Sequence, residues 1–449
     1  MDIDVPPPRL PPELVLNVFE HSIKPVLIAC SLACKQWHDM SRAYRFNDVS
    51  LRCVPTQQEL QLDDPDEGQD EEMDEEEDED AEPAQEDKEG NRKTLQSFLQ
   101  FLKDTPRVAP CIRKLTIDLS LHRHARALHY ADRLTFIDVL RKLPKLRVLH
   151  LRDVFLPNWR SEVLTDVKLD SLSIRYPSFY GGGAGEVETI ELLQMITIFG
   201  AVKNLHFQQF SFESSPDAMP LPPRLGITSL SLKNVWAISP LLDSIKQGES
   251  LRDSKREGLR SLVIEDLETQ DLLEMNWCLA VIGPNLTNFG CCIPFQIRSQ
   301  FDTVLNLERC PNLRSLTLYL KMASDAFHSW VPDVNRQAWE YVVKVLASLP
   351  FDTSRLVLDQ LTLSIGFQDL YAIRTSRMYL KRILPTITTV EDKLLDFIDK
   401  GVLRSVRVEL TRSMVDGAIL PCHCVPEFFP RLHETGALSF PTKYYLPED

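Results

Sequence analysis

The amino-acid sequence predicts an α/β chain in which a small unit of three helices precedes an irregular solenoid of parallel strands. Three observations carry that prediction. Residues 9–52 are apolar and dense in helix-forming runs. From residue 112 onward a leucine pattern recurs that has strand alternation built into it. Amphipathic stretches of helical period lie between its copies. Composition agrees, since 43% of the 449 residues are hydrophobic and 26% charged, enough apolar material for sizeable cores.

Residues 1–8 are expected to be disordered, and the opening MDIDVPPPRL lacks the positive flank and apolar core of a signal peptide. Pro11 and Pro12 suit the first turn of a helix, where backbone N–H groups have no partners in any case. The run Glu13 to Glu20 spreads Leu14, Val15, Leu16, Val18 and Phe19 over more than one helical face. Pro25 opens a second helix with Val26, Leu27, Ile28, Cys30 and Leu32, and a third holds Trp37, Met40, Ala43 and Tyr44. A unit of this size is marginal alone. Helices this apolar predict a surface that another protein covers.

Residues 57–93 read as an acidic, disordered linker. Within them, residues 63–90 hold eighteen carboxylates against one lysine, a charge of −17 out of a total of −15, so the rest of the chain is close to neutral. With no lysine- or arginine-rich face to offset the insert, general nucleic-acid binding is disfavoured. The linker reading is a self-repelling spacer. The sharper alternative is a tract that folds back over Arg152, Arg175 and Lys233 and competes with acidic targets.

Residues 94–449 carry the pattern L-x-x-L-x-L. Strict copies start at Leu146, Leu169, Leu259, Leu313 and Leu358, with looser ones at Ile112, Val202, Ile227, Leu286 and Leu403. The phrase Leu-Arg opens four of them, at 146, 259, 313 and 403. Side chains alternate along a strand, so in x-L-x the apolar residue points inward and its neighbours outward. One strand and one helix, such as Ala131 to Lys142 or Trp339 to Leu349, cannot bury a core, but stacked copies share one. That is the leucine-rich-repeat solution. The steps between copies run from 23 to 45 residues and the ninth position lacks asparagine or cysteine, so an irregular arc is expected. Outward positions with a cationic lean, His150, Arg152, Arg175, His206 and Lys233, are the expected target-binding residues.

The N-terminal unit supports a specific comparison. Leu10, Pro11, Glu13, Leu14, Phe19, Leu27, Leu32, Cys34, Lys35 and Trp37 stand at the spacing of an F-box, whose pattern begins Leu-Pro-x-Glu and ends Cys-Lys-x-Trp. The stretch resembles that family, with Ser22 where the family places leucine. The resemblance implies a substrate-recognition subunit of a Skp–cullin–F-box ubiquitin ligase, itself without catalytic residues. Leu10, Pro11, Glu13, Leu14, Phe19, Leu27, Leu32, Lys35 and Trp37 would meet a Skp-family adapter, and through it a cullin scaffold. The repeats would hold a target protein. The alternative is an F-box protein that binds the adapter but acts outside ubiquitin transfer.

Ten irregularly spaced cysteines suit a reducing compartment, and the expected location is cytoplasmic, nuclear or both. Met275 to Ile297 is uncharged over 23 residues but holds Asn276, Gly283, Pro284 and Pro294, so it is not expected to span a membrane. Cys422-His423-Cys424 lacks a second ligand pair for zinc, and no metal or cofactor is expected. His122, His124 and His129 read as an exposed basic helix. The glycines at 181–183 and 185 are followed by no Lys-Ser or Lys-Thr of a phosphate loop.

Overall fold

The computed structural model describes residues 18–33, 35–52, 87–118, 129–130, 133–155, 166–175, 186–213, 225–250, 258–265, 267, 271–293, 303–322, 331–350, 357–367, 386–411, 419–420 and 425–441. The chain forms two compact units, Met1–Pro177 and Ser178–Asp449, so the range expected as a single repeat domain is shared between them.

Unit 1 opens with helical residues 18–20, followed by α1 (Lys24–Ala33) and α2 (Lys35–Arg45). Lys24 and Pro25 begin α1, as proline in a first turn predicts. Four strands then pair in parallel in the order β1 (Asp48–Arg52), β2 (Lys114–Asp118), β4 (Val148–Arg152), β6 (Lys168–Arg175). A second, two-residue pair joins β3 (His129–Tyr130) to β5 (Val154–Phe155). Helices α3 (Asp87–Asp104) and α4 (Arg133–Lys142) pack on each other, and Leu95, Phe98 and Leu102 of the first and Phe136, Val139 and Leu140 of the second are buried.

Three expectations need correction here. Residues 48–52 belong to the sheet: Val49 and Leu51 alternate in register with Leu115 and Ile117, and Asp48 pairs with Lys114 at 3.2 Å. Helix α3 begins at Asp87, inside the stretch expected to be disordered up to residue 93. His129 lies on a strand, not a helix, because it pairs with Val154. His122, His124, the glycines at 181–183 and 185, and Cys422 to Cys424 lie outside the described residues, as does the acidic insert up to residue 86.

Unit 2 continues the leucine grammar. Strands β8 (Ala201–Glu213), β9 (Ser229–Trp236), β10 (Ser261–Ile264), β11 (Asn288–Ile293), β12 (Ser315–Met322), β13 (Gln360–Phe367) and β14 (Val406–Thr411) lie side by side in chain order, all parallel. Short β7 (Glu186–Glu188) pairs with β8 and β16 (Leu438–Ser439) with β14, both in parallel, and β15 (Ile419–Leu420) pairs with β14 antiparallel. The middle residues of the units form one ladder, Leu205, Leu230, Leu262, Phe289, Leu316, Leu361 and Val406, in register from strand to strand and wholly buried. Leu115, Leu149 and Leu172 do the same in unit 1. In each unit, the strands that carry a copy of the leucine pattern fall where that pattern places them.

The connections set the irregular steps. Helices α5 (Thr189–Ile196), α6 (Ser239–Ser250), α7 (Leu272–Ile282), α8 (Val331–Ala347) and α9 (386–399) cross between strands. Helix α8 starts eight residues before the expected Trp339. Between β11 and β12 the described residues, 303–314, form no helix. Residues 303–313 run irregularly there, and their backbone is held by side chains of the flanking helices. Asn276 donates to the Val304 carbonyl (2.9 Å) and accepts from the Asn306 N–H (2.8 Å). The Tyr341 hydroxyl and Ser348 Oγ accept the N–H groups of Leu305 and Leu307, each at 3.0 Å. Such side chains replace the partners that a helix would have supplied. At the end of α9, Gly401 takes φ +69°, so that its N–H bonds the Ile398 carbonyl and the Val402 N–H bonds that of Phe397. This turn delivers the chain to Leu403, the last repeat opening.

Candidate docking surface and strand face

Helices α1 and α2 are held by one small cluster. Phe19 and Leu27 are 2% and 3% exposed, with Cys30, Trp37, Met40 and Tyr44 packed around them. Trp37 and Tyr44 meet Phe19 edge-on, at centroid distances of 5.9 and 6.2 Å. Ser22 ends the preceding helix: its hydroxyl donates to the Val18 carbonyl at 2.6 Å and its N–H to that of Phe19 at 3.2 Å. A leucine there would lose that hydroxyl bond. The Lys24 ammonium donates to the Asp48 carbonyl at 2.9 Å, tying α1 to the first strand.

That cluster uses only one face of α1. Val18, Ile23, Val26, Ile28 and Leu32 point to solvent, Leu32 with 82% of its surface free. Nine large apolar side chains are exposed among the described residues, and five of them fall in this stretch of fifteen. A helix apolar on both faces, with one face packed, leaves the other for a partner. Of the expected adapter-binding residues, Phe19 and Leu27 lie inside, Trp37 is half-buried against Phe19, and Leu32 and Lys35 are exposed. Leu10, Pro11, Glu13, Leu14 and Cys34 lie outside the described residues.

The outward strand positions form rows. In unit 1, Arg52, Asp118, Arg152 and Arg175 follow one another in register, and His150 stands beside Thr116 and Ser173. Asp153 closes the Arg row with φ +56°, its N–H bonded to the Arg175 carbonyl at 2.8 Å. In unit 2, Gln209 and Asn234 sit at the same place relative to their leucines, with φ of +62° and +50°. Three copies therefore turn left-handed at their eighth residue. Aspartate and asparagine tolerate that conformation better than most residues, a signal the leucine pattern alone does not carry.

Burial, and after it the carboxylate of Asp118, lift the Asp153 carboxyl to about 6 against the pull of Arg175 and Arg152. An unfolded aspartate ionises near 4. Between about pH 4 and pH 6 the folded chain keeps a proton that the unfolded chain has lost. This group's contribution to stability therefore falls as pH rises through that window and stays unfavourable above it. Asp153→Asn, which suits the same φ, is expected to stabilise the chain by about 1 kcal/mol near pH 7, a figure discounted for partial exposure. In thermal melts that gain should shrink steadily as pH falls from about 6 to 4. A gain that is constant or grows on acidification would refute the assignment.

In unit 2 one of the expected residues, Lys233, already has an acidic neighbour. Lys233 lies 3.9 Å from Glu265. Burial raises the Glu265 carboxyl, with Lys233 and Lys321 pulling it back, and burial alone lowers the His206 imidazole. His206 and Lys233 come from neighbouring strands, Lys233 in register with Gln208. Further along the same face, Gly290 leaves room for the Tyr319 ring, since a Cβ there would stand 3.4 Å from it and 3.2 Å from Val263. Arg407 and Glu409 pair at 2.6 Å on the last strand. Those two were not expected, because the final copy is the least leucine-like.

Residues 8–46 match the family described as F-box-like. The match spans the helical residues 18–20, α1 and α2, together with the apolar surface they expose, so this stretch is an F-box-like domain. The chain matches no curated protein.

Proposed function

We propose that the chain is the substrate-recognition subunit of a Skp–cullin–F-box ubiquitin ligase. The observation that carries this reading is the exposed apolar band of residues 18–32 on an F-box-like domain. Domains of this family bind Skp-type adapters and generally act as non-catalytic subunits. In this chain Leu32, Ile28 and Lys35 would face the adapter together with Leu10, Pro11, Glu13 and Leu14. Phe19, Leu27 and Trp37 would act from behind, by fixing the helices that present them. The parallel strands with a shared leucine ladder read as a degenerate leucine-rich-repeat domain. Their outward rows, Arg152 and Arg175 beside His150 in one unit, His206 and Lys233 in the other, would hold the target. The chain then accelerates ubiquitin transfer by raising the target's local concentration at the ligase.

The test is recovery of partners with the full chain and with the chain lacking residues 10–37. The reading expects adapter and cullin together with the full chain, neither with the deletion, and accumulation of the bound target in cells expressing the deletion. Adapter without cullin, and a target whose level never changes, would instead favour a role outside ubiquitin transfer.

A further inference from the structure

The fold explains only half of the repeated phrase Leu-Arg. Its leucine opens each copy and is buried, but its arginine is exposed and packs no core. In unit 2 the residues at that second position are, in strand order, Lys203, Thr228, Arg260, Thr287, Arg314, Asp359 and Arg404. Backbone hydrogen bonds set them in one row. The N–H of Thr228 reaches the Lys203 carbonyl, Arg260 that of Thr228, Thr287 that of Arg260, Arg314 that of Thr287 and Asp359 that of Arg314, all at 2.8–2.9 Å. Arg404 closes the row beside Asp359, in step with the pairing of Leu361 and Val406.

Cations thus occur on every second strand. Strands stand about 4.8 Å apart, so the cations repeat at about 10 Å. Between them the threonines stay low, each hydroxyl donating to the carbonyl of the strand before: Thr228 to Lys203 and Thr287 to Arg260, both at 3.2 Å. Asp359 sits between Arg314 and Arg404, 3.5 and 2.7 Å from them, and steadies two guanidiniums that keep 67% and 69% of their surface in solvent. The row carries four cations and one carboxylate, the reverse of the chain's overall sign.

We propose that this strand-start edge of unit 2 docks an extended acidic segment of a partner protein, with a carboxylate at every third residue. A chain in the extended polyproline II conformation has three residues per turn and advances about 3.1 Å per residue, so every third side chain returns to the same face at about 9 Å and meets the next cation. Arginine suits this role because its fork grips a carboxylate in two places. A nucleic-acid strand, with a phosphate every 3.4 Å or so of helix axis, would also set charges opposite Thr228, Thr287 and the Asp359 carboxylate, where the row offers no cation. The proposal rests on the geometry of unit 2 alone, and adapter recovery reports separately on the receptor reading.

The test is fluorescence anisotropy with the full chain and three probes: a peptide of about a dozen residues with Glu at every third position among serines, a peptide of the same composition with its Glu residues contiguous, and a single-stranded oligonucleotide of equal charge. The spaced peptide should bind tightest, more weakly as salt rises. Arg260→Glu with Arg314→Glu should weaken it about tenfold or more. The matching Gln variants should weaken it less, and Lys344→Glu on helix α8 should leave it unchanged. Equal binding of both peptides, tighter binding of the oligonucleotide, or indifference to the Glu variants overturns the proposal. So does binding that appears only after residues 63–86 are removed, which would make the chain's own acidic tract the occupant.

Discussion

Leu32→Asp in the full chain is expected to abolish recovery of a Skp-type adapter without lowering the unfolding temperature. The two halves of that result follow from one fact. Leu32 keeps 82% of its surface in solvent, so the folded chain gains almost nothing from its methyl groups. A partner that covers it would gain about 2 kcal/mol. Aspartate forfeits that gain and adds the cost of desolvating a carboxylate with no prepared partner, several kcal/mol more. The sum exceeds a hundredfold in affinity. Phe19→Ala should also lose the adapter, but by a different route, because Phe19 is the centre of the helix cluster and its removal loosens α1 and α2 before any partner arrives. Melting therefore separates surface from scaffold: unchanged for Leu32→Asp, reduced for Phe19→Ala. Full adapter recovery with both Leu32→Asp and Ile28→Asp would end the docking assignment.

How much of this was legible in the sequence depends on which force wrote each feature. Burial writes strongly. All ten leucine-pattern copies fall on strands, because a buried position between two exposed ones can be satisfied in only one way once a neighbouring strand supplies the same pattern. The same force made residues 18–32 readable as a surface that lacks a cover. It could not say which of Phe19, Leu27 and Leu32 face inward, since a helix apolar on both faces has no hydrophobic side to choose. Polar devices write weakly. Strand β1 carries only Val49 and Leu51 and sits at the edge of its unit, so it lacks the leucine phrase. The asparagine and serine that hold residues 303–313 are single residues without a period. The pairing of Lys233 with Glu265 joins side chains 32 positions apart, and the left-handed turn at Asp153 depends on one backbone angle.

The strongest stability effect is expected from Phe289→Ala. Phe289 is the one aromatic rung of the unit 2 ladder, fully buried, with Leu262 beside it on β10 and Leu316 on β12. Its truncation removes a large apolar side chain from between two rungs that are themselves fixed by their own neighbours, so the gap cannot close. A loss of about 3–5 kcal/mol follows from such a cavity. Phe289→Leu, which restores the rung used on either side, should cost less than half of that, and Ser261→Ala, on the half-buried outward face next to Leu262, about 0.5 kcal/mol or less. Urea unfolding followed by hydrogen exchange at β10, β11 and β12 measures all three. In an array of stacked units each interface depends mainly on the next, so protection should fall most at those three strands and least at β8 and β14. If Phe289→Ala cost no more than Ser261→Ala, the ladder would be an alignment of leucines without being a core. The shared burial from which the strand order, the outward rows and the cationic edge all derive would then be lost.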